Sequence, residues 1–352
     1  MVLRSILLEC CALSGTSHRA SDLAEELSRI VQEWGLERKI ILAVSDNGSN
    51  IKCAIEKCLG WKHFNCYAHC INLVVTKALE NNSTISNIIQ NAKNVVSHLK
   101  KSTVAWEKLK RYLEQAGKPI MRPLQDVPTR WNSTYYMLER LLLLKGELNS
   151  AISNLNTNIP VLSANYWSII EKLVLVLKPS EEVTKEISGD RYVTGSSVIP
   201  ITIALKSALV TILDSSEPLP DDVEMRKQQN QNRIFQNHLL YPDRKTPFGP
   251  TITKKCKILG PVVPHFLELW LKCNDTVIPK SHSPLEWWKA NKNSYPHLAI
   301  LARNRLNSLA TSVPCERLFS AAGNILSDRR TRLGVRKIKQ LLFLQQNLKN
   351  KA

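Results

Sequence analysis

Apolar and polar positions near the start of the chain predict a strand, a helix and a second strand. Residues 2–11 (VLRSILLECC) are mostly apolar and are typical of a strand. A segment opened by Ser21 or Asp22 then places apolar side chains three and four residues apart until Gly35, which predicts an amphipathic helix. Residues 39–45 form a nearly continuous apolar run, typical of a strand buried on both faces. This order of elements indicates an α/β sheet.

Helical periodicity then dominates as far as residue 213. The predicted helices span 51–60, 66–80, 84–115, 131–155, 165–188 and 198–213. Residues 214–260 are polar and weakly periodic, and are predicted to be a long connector. Two further helices are predicted near the end of the chain, one opened by Ser312 and Pro314 and one from Val335 to Leu348.

Composition narrows the class of protein. The chain has 352 residues, of which 43% are apolar, and this argues against disorder because such a chain can bury a core. The length fits about two domains, or one large domain with an insertion. With 48 Lys and Arg against 30 Asp and Glu, the formal charge is +18, which favours a polyanionic partner. Nucleic acid is favoured over membrane, because no uninterrupted run of about 18 apolar residues and no lipid anchor is evident.

Nine cysteines without a C-x-x-C pair indicate reduced thiols rather than a disulfide scaffold.

Two carboxylates lie where chemistry is often found. Asp46 follows the apolar strand directly, and the carboxyl ends of such strands are where α/β sheets place ligand sites. The alternative is an Asx turn, since Asp46-Asn47-Gly48 is strong turn sequence. Glu316 falls in the first turn of a predicted helix, where a carboxylate is also a favourable partner for the helix dipole.

The stretch WKHFNCYAHC raises the question of a zinc site. His63, Cys66, His69 and Cys70 are ligand types, but their spacing is not that of a zinc finger. Three of the four lie within two turns of one predicted helix, so a tetrahedral site would need a distant ligand. A core histidine with buried thiols is the favoured interpretation.

Basic residues suggest two nucleic-acid contacts. Arg130 stands beside Trp131, a pairing that suits a phosphate contact and a stacked base, although a Trp entering a helix is more often part of a core. The C-terminal stretch adds Arg329, Arg330 and Arg332. It also carries apolar residues at helical spacing that predict a partner helix, namely Val335, Ile338, Leu341, Leu342 and Leu348. The alternative for this stretch is a core helix with a solvated charged face.

The order of these segments resembles the hAT superfamily of cut-and-paste DNA transposases and the zinc finger BED domain-containing proteins descended from them. The matching pieces are KIILAVSDNGSNIKCAI, WKHFNCYAHCINLVV, DVPTRWNSTYYMLERLL, EEVTKEISGDRYVTGSSVIP, PLEWWKANKNSYPHLAILA and TSVPCERLFSAAGNILSDRRTRL. Together they cover most of residues 3–348, with a degraded gap near 214–280.

The resemblance implies a ribonuclease H-like sheet with a large α-helical insertion and a C-terminal dimerisation region. In the family, three carboxylates hold two divalent metals that activate the attacking oxygen and stabilise the leaving oxygen. The second carboxylate falls on Asp46, the third on Glu316, the stacking aromatic on Trp131 and the family histidine on His69. The resemblance divides the chain into the start of the core at 1–80, the insertion at 81–213, a variable connector at 214–281, and the dimerisation region completing the core at 282–350.

The first family carboxylate would lie on a strand upstream of residues 2–11. The BED finger would also precede these residues. We therefore expect a truncated core, in which the strands at 2–10 and 39–45 pair directly or recruit another chain. Glu9 is the nearby candidate for the missing carboxylate. We also expect Asp46 and Glu316 to lie close together.

These expectations define a function. The chain is expected to be a catalytically inactive transposase derivative in the nucleus, acting by dimerisation and by DNA contact. It is expected to need no cofactor, with Mg²⁺ or Mn²⁺ bound only if activity is retained, and to have no membrane or small-molecule partner. The alternatives are an active metal-dependent DNA transposase or nuclease, and a fragment of a longer BED-finger transcriptional regulator.

Overall fold

A computed structural model of the chain describes residues 5–10, 19–127, 130–155, 162–189, 192, 194–215, 283–294, 296–325 and 334–348. The chain divides into two compact units. The first, here called the discontinuous unit, comprises Met1–Cys70, Glu186–Ile199 and Gln236–Ala352. The second, here called the helical unit, comprises Ile71–Lys185 and Pro200–Phe235.

The described residues are mostly helical. The helices are α1 (Ala20–Glu33), α2 (Ser49–Cys53), α3 (Tyr67–Glu80), α4 (Ser83–Lys101), α5 (Thr103–Gln115), α6 (Trp131–Leu143), α7 (Lys145–Ser153), α8 (Ala164–Ile187), α9 (Val198–Ser215), α10 (Pro284–Ala290), α11 (Pro296–Arg305), α12 (Val313–Ile325) and α13 (Val335–Leu348). A π-helical turn, Ala54–Cys58, continues α2, and a 3₁₀ turn, Gly195–Ser197, precedes α9. The two strands are β1 (Ala43–Ser45) and β2 (His63–Asn65).

Local sequence explains where α1 begins and ends. Asp22 in its first turn accepts a hydrogen bond from the backbone N–H of Arg19, and Ala24 and Val31 are buried on its inner side. Gly35 follows the helix at a φ of 59°, in the left-handed region that favours glycine. The predicted helix ending before Gly35 is therefore observed.

The sheet differs from the prediction. Strands β1 and β2 pair in parallel, with Ala43 opposite His63 and Ser45 opposite Asn65. Residues 5–10, predicted as a strand, have no regular secondary structure, so the predicted pairing of 2–10 with 39–45 is wrong over those residues. The backbone of Leu7 instead bonds to the side chain of Asn347. The apolar run at 39–45 contributes only its last three residues to the strand.

Helices α4 to α8 build the core of the helical unit. Asn82 and Ser102 cap α4 and α5 through their side-chain oxygens, which accept from backbone N–H groups three residues on. The largest fully buried side chains of this core are Ile88, Leu109, Leu113, Met137, Leu138, Leu141, Leu144, Leu148, Trp167, Ile169 and Ile170. The predicted helix at 84–115 is interrupted by the Ser102 cap.

Helix α9 and the turn before it are unusually apolar. Over Gly195–Asp214 the mean hydropathy reaches 1.8 and 11% of the segment is buried, so this helix is long and apolar enough to cross a membrane by length and composition. The segment is not an uninterrupted apolar run, since Ser, Thr and Lys residues occur between its apolar residues. The absence of a membrane partner therefore stays a prediction.

Candidate functional site

The carboxyl end of the sheet meets the start of α12 at one cysteine. The backbone N–H of Cys66 donates to the carbonyl oxygen of Ser45 at 2.7 Å, and its buried sulfur accepts from the N–H of Ser312 at 3.3 Å. Ser312 directly precedes α12, and its carbonyl oxygen accepts from the N–H of Glu316 at 3.3 Å. The structure therefore brings the strand end that carries Asp46 and the helix start that carries Glu316 to Cys66.

The loop before α12 is fixed by three more hydrogen bonds. The carbonyl oxygen of Ala310 accepts from the N–H of Tyr67 at 2.9 Å, and the N–H of Ala310 donates to Thr194 Oγ1 at 2.8 Å. The N–H of Gly195 donates to the carbonyl oxygen of Ser308 at 3.0 Å. A Cβ at Gly195 would lie 2.7 Å from that oxygen, so only glycine allows the approach. Thr194 and Gly195 of the motif RYVTGSSVIP thus hold the loop before the helix that carries Glu316.

Asp46 and Glu316 are both exposed. Asp46 Oδ1 accepts from the N–H of Gly48 at 3.1 Å, which is the Asx turn that the sequence offered as the alternative. Glu316 lies in the first turn of α12, where it also interacts favourably with the helix dipole. Their roles as metal ligands stay predictions.

The four residues raised for zinc have other surroundings. His63 Nε2 lies 2.8 Å from Ser45 Oγ, and its Nδ1 lies 3.6 Å from Glu56 Oε1. Burial lowers the pKa of His63, although the Glu56 carboxylate opposes the shift. Cys70 Sγ contacts the side-chain amide of Asn47, and burial raises the pKa of the Cys70 thiol. His69 is half-buried on α3. Among the residues that the structure describes, no group of three or more His, Cys, Asp or Glu side chains is arranged to hold a metal ion.

Glu9 is not placed as a replacement carboxylate. Its Oε2 lies 2.8 Å from Arg29 and its Oε1 lies 3.9 Å from Lys339. Both oxygens of Glu9 thus face cations of this chain, although Arg29 also pairs with Glu26 and Glu33, and a divalent ion at Glu9 would have to displace these contacts. Within the described ranges, the carboxylates therefore do not fit the two-metal centre that the resemblance implies.

The residues proposed for DNA contact divide into three groups. Trp131 is 3% exposed, its backbone N–H donates to Asn72 Oδ1 at 3.0 Å, and its indole belongs to the interior of the helical unit. A base cannot stack on a ring in that position without opening the packing. Arg130 is exposed at the N-cap of α6, and its role as a phosphate contact stays a prediction. Arg329, Arg330 and Arg332 lie outside the described residues.

A buried ionic network that the sequence analysis missed supports the segment containing Arg130. Asp126 accepts hydrogen bonds from Thr134 at 2.5 Å and Ser133 at 3.0 Å, and pairs with Lys93 at 2.9 Å. Burial opposes ionisation of Asp126, but the bonds from Thr134 and Lys93 outweigh it and hold its pKa below the ordinary value. The only signal in the sequence is the run DVPTRWNST, which shows no long-range partner.

Helix α13 has one buried and one exposed apolar face. Ile338 and Leu342 are buried in this chain, so they are not available to a partner helix as predicted. Leu341 and Leu348 are 46% and 57% exposed, and Leu344, which the prediction omitted, is 51% exposed. The spacing of 341, 344 and 348 places these leucines on one side of the helix. The side chain of Val335 lies outside the described residues.

Family models match two parts of this architecture. Residues 64–176 match the ZBED1 RNase-like helical domain, and residues 266–348 match the hAT family C-terminal dimerisation region. The chain is a hAT-type, transposon-derived protein. The resemblance inferred from its motifs is confirmed, and the second match includes α13 with its exposed leucines.

Relatives of this hAT-type chain include both regulators and transposases. Zinc finger BED domain-containing protein 4 of Homo sapiens is 25% identical over 87% of this chain and 31% of its own length. The putative transcriptional regulator tpeD of Talaromyces stipitatus is 23% identical over 97% of this chain and 49% of its own length. The putative AC transposase of Zea mays is 26% identical over 51% of this chain and 24% of its own length. The chain thus spans less than half the length of these relatives.

Proposed function

We propose that this hAT-derived chain acts by associating with a second copy of itself and by binding nucleic acid, without cutting DNA. The observation that carries the proposal is the exposed row of Leu341, Leu344 and Leu348, here called the leucine stripe. It lies within the segment matched to the hAT dimerisation region.

The leucine stripe has the properties of an interface between copies. Contiguous patches of exposed apolar surface mark association sites in soluble proteins. Two-fold interfaces present the same patch on both copies, so an apolar stripe is complementary to itself. Phe319 on α12, which contacts α13, adds a further ring that is 61% exposed. These features support a dimer held mainly by apolar contact.

Nucleic-acid binding rests on charge rather than on a base-reading module. A formal charge of +18 favours the phosphate backbone over any particular sequence. Arg130 is exposed on the helical unit and provides one contact. The names of the relatives, a transcriptional regulator and a transposase, accord with a DNA partner and a place in the nucleus.

Catalytic silence is the third part of the proposal. We infer that β1 and β2 derive from a ribonuclease H-like sheet whose metal chemistry is not retained by this chain. Asp46 shares its Oδ1 with the turn at Gly48, and the oxygens of Glu9 pair with Arg29 and Lys339. Two carboxylates without a supported third make a poor two-metal clamp.

Light scattering on leucine-stripe variants tests this function. The chain with both Leu341→Asp and Leu344→Asp should have the mass of a single copy, while the unchanged chain should dimerise. Val104→Asp is the matched control, because Val104 is 70% exposed on the helical unit and outside the dimerisation match. The proposal fails if the double variant dimerises as well as the control.

A further inference from the structure

The N-terminal segment of residues 5–10 is attached to α13, although the two lie at opposite ends of the chain. The N–H of Leu7 donates to Asn347 Oδ1, and Asn347 Nδ2 donates to the carbonyl oxygen of Leu7, both at 2.9 Å. The side-chain amide of Asn347 thus occupies the place of a neighbouring strand. An ion pair between Glu9 and Lys339 at 3.9 Å adds a second connection.

A groove of about 440 Å³ lies between this segment and α13. Leu8, Glu9 and Cys10 line one side, and Lys339, Phe343 and Leu344 line the other. The ring of Phe343 also contacts the ring of Trp34, with ring centroids 6.3 Å apart. Because Leu344 belongs both to the groove and to the leucine stripe, the two form one continuous apolar surface.

We propose that residues 5–10 and α13 form a composite surface that receives a second copy of this chain. This inference rests on the self-association proposed above and extends it beyond the C-terminal region. In a two-fold dimer each copy brings both the groove and the stripe, so an exposed leucine of one copy can enter the groove of the other. Glu9 and Lys339, which also line the groove, are paired with each other, so the second copy would meet mainly the apolar side chains of Leu8, Phe343 and Leu344.

A substitution at Leu8 distinguishes the composite surface from dimerisation through α13 alone. It lies far outside the matched dimerisation region at residues 266–348, yet it lines the groove opposite Leu344. If the second copy packs against the groove, a charge at the half-buried Leu8 must lose more of its water in the dimer than in the single copy. If the second copy contacts only α13, a substitution at Leu8 leaves the dimer dissociation constant unchanged.

Sedimentation velocity over a concentration series distinguishes these cases. We expect Leu344→Asp to abolish the dimer and Leu8→Asp to raise the dimer dissociation constant by about tenfold or more. Val104→Asp should leave that constant unchanged. If Leu344→Asp abolishes the dimer while Leu8→Asp dimerises like the unchanged chain, the composite surface is wrong and self-association stands. If the unchanged chain is a single copy at every concentration, the proposed function is wrong too.

Alkylation of the unchanged chain provides a test that needs no variant. Cys10 lines the groove, whereas Cys58 is exposed on the π-helical turn. With iodoacetamide and peptide mapping by mass spectrometry, the rate at Cys10 should fall as concentration drives dimerisation, and the rate at Cys58 should stay constant. A Cys10 rate that does not change across the monomer–dimer transition overturns the proposal.

Discussion

The side chain of Asn347 exchanges two hydrogen bonds with the backbone of Leu7, across 340 positions of sequence. One amide group therefore satisfies both the N–H and the carbonyl group of an extended residue, as a paired strand would. This relationship fixes the N-terminal segment on α13 and places Leu8 and Leu344 on either side of the groove.

Asn347→Ala should release the N-terminal segment. The variant leaves both part-buried polar groups of Leu7 without their partner. This should lower the free energy that holds the segment on α13 by about 1 kcal/mol. Hydrogen exchange measured by mass spectrometry should become faster in the peptide covering residues 5–10. Asn347→Asp keeps only the acceptor and should give an intermediate rate. Gln345→Ala, an exposed change on the same helix, should leave the rate unaltered, and an equal effect from this control would contradict the assignment.

The pH dependence of stability should identify Asp126. Its pKa is held below the ordinary value in the folded protein, so its contribution is present above about pH 4 and is lost as the pH falls further. Asp126→Asn should therefore lower the thermal midpoint near neutral pH and reduce its decline between about pH 6 and about pH 3. Glu107→Gln, at an exposed carboxylate of α5, is the control. Equal declines in the unchanged chain and in Asp126→Asn would show that the network does not contribute.

Arg130→Ala should weaken DNA binding uniformly across sequences. Loss of one phosphate contact should make the negative slope of log affinity against log salt shallower by about 0.9. Lys118→Ala removes the same charge from the helical unit, but Lys118 is paired with Glu147 at 2.9 Å, so this control should change the slope less. Fluorescence anisotropy with two unrelated duplexes provides the measurement. A loss confined to one duplex would indicate base reading instead.

Purified chain with Mg²⁺ or Mn²⁺ should neither nick supercoiled plasmid nor join strands. The reason is that the described carboxylates do not form a two-metal clamp, with Glu9 held by Arg29 and Lys339. Plasmid conversion followed on agarose gels measures this directly. Cleavage that disappears in Asp46→Asn and Glu316→Gln, but persists in Asp22→Asn on α1, would overturn the prediction.

Sequence patterns predicted the long helices well and the pairing of distant segments poorly. Helix α13 has the predicted bounds, and α3 begins one residue later than predicted, because a 3.6-residue period is a local property. Strand β2 was missed, since three residues are too few to establish alternation. The segment at 2–11 was assigned as a strand from its apolar character, but whether it joins a sheet depends on partners elsewhere in the chain.

The candidate site shows the same division. The motifs placed Asp46 and Glu316 at a strand end and a helix start, and these elements do meet at Cys66. That Glu9 pairs with two cations could not be read from sequence, because ion pairs between distant segments leave no periodic signal. The sequence also did not show which residues of α13 face the core, since the adjacent Leu341 and Leu342 are both apolar but only Leu342 is buried.

The mass of the unchanged chain in solution tests the central claim most directly. Sedimentation velocity at increasing concentration should reveal a species with twice the monomer mass of 39.9 kDa, because the proposed dimer would cover the leucine stripe, which is exposed among the described residues. The same series should yield a single copy for the variant carrying Leu341→Asp and Leu344→Asp. A species of 39.9 kDa for the unchanged chain at every concentration up to its solubility limit would contradict the account.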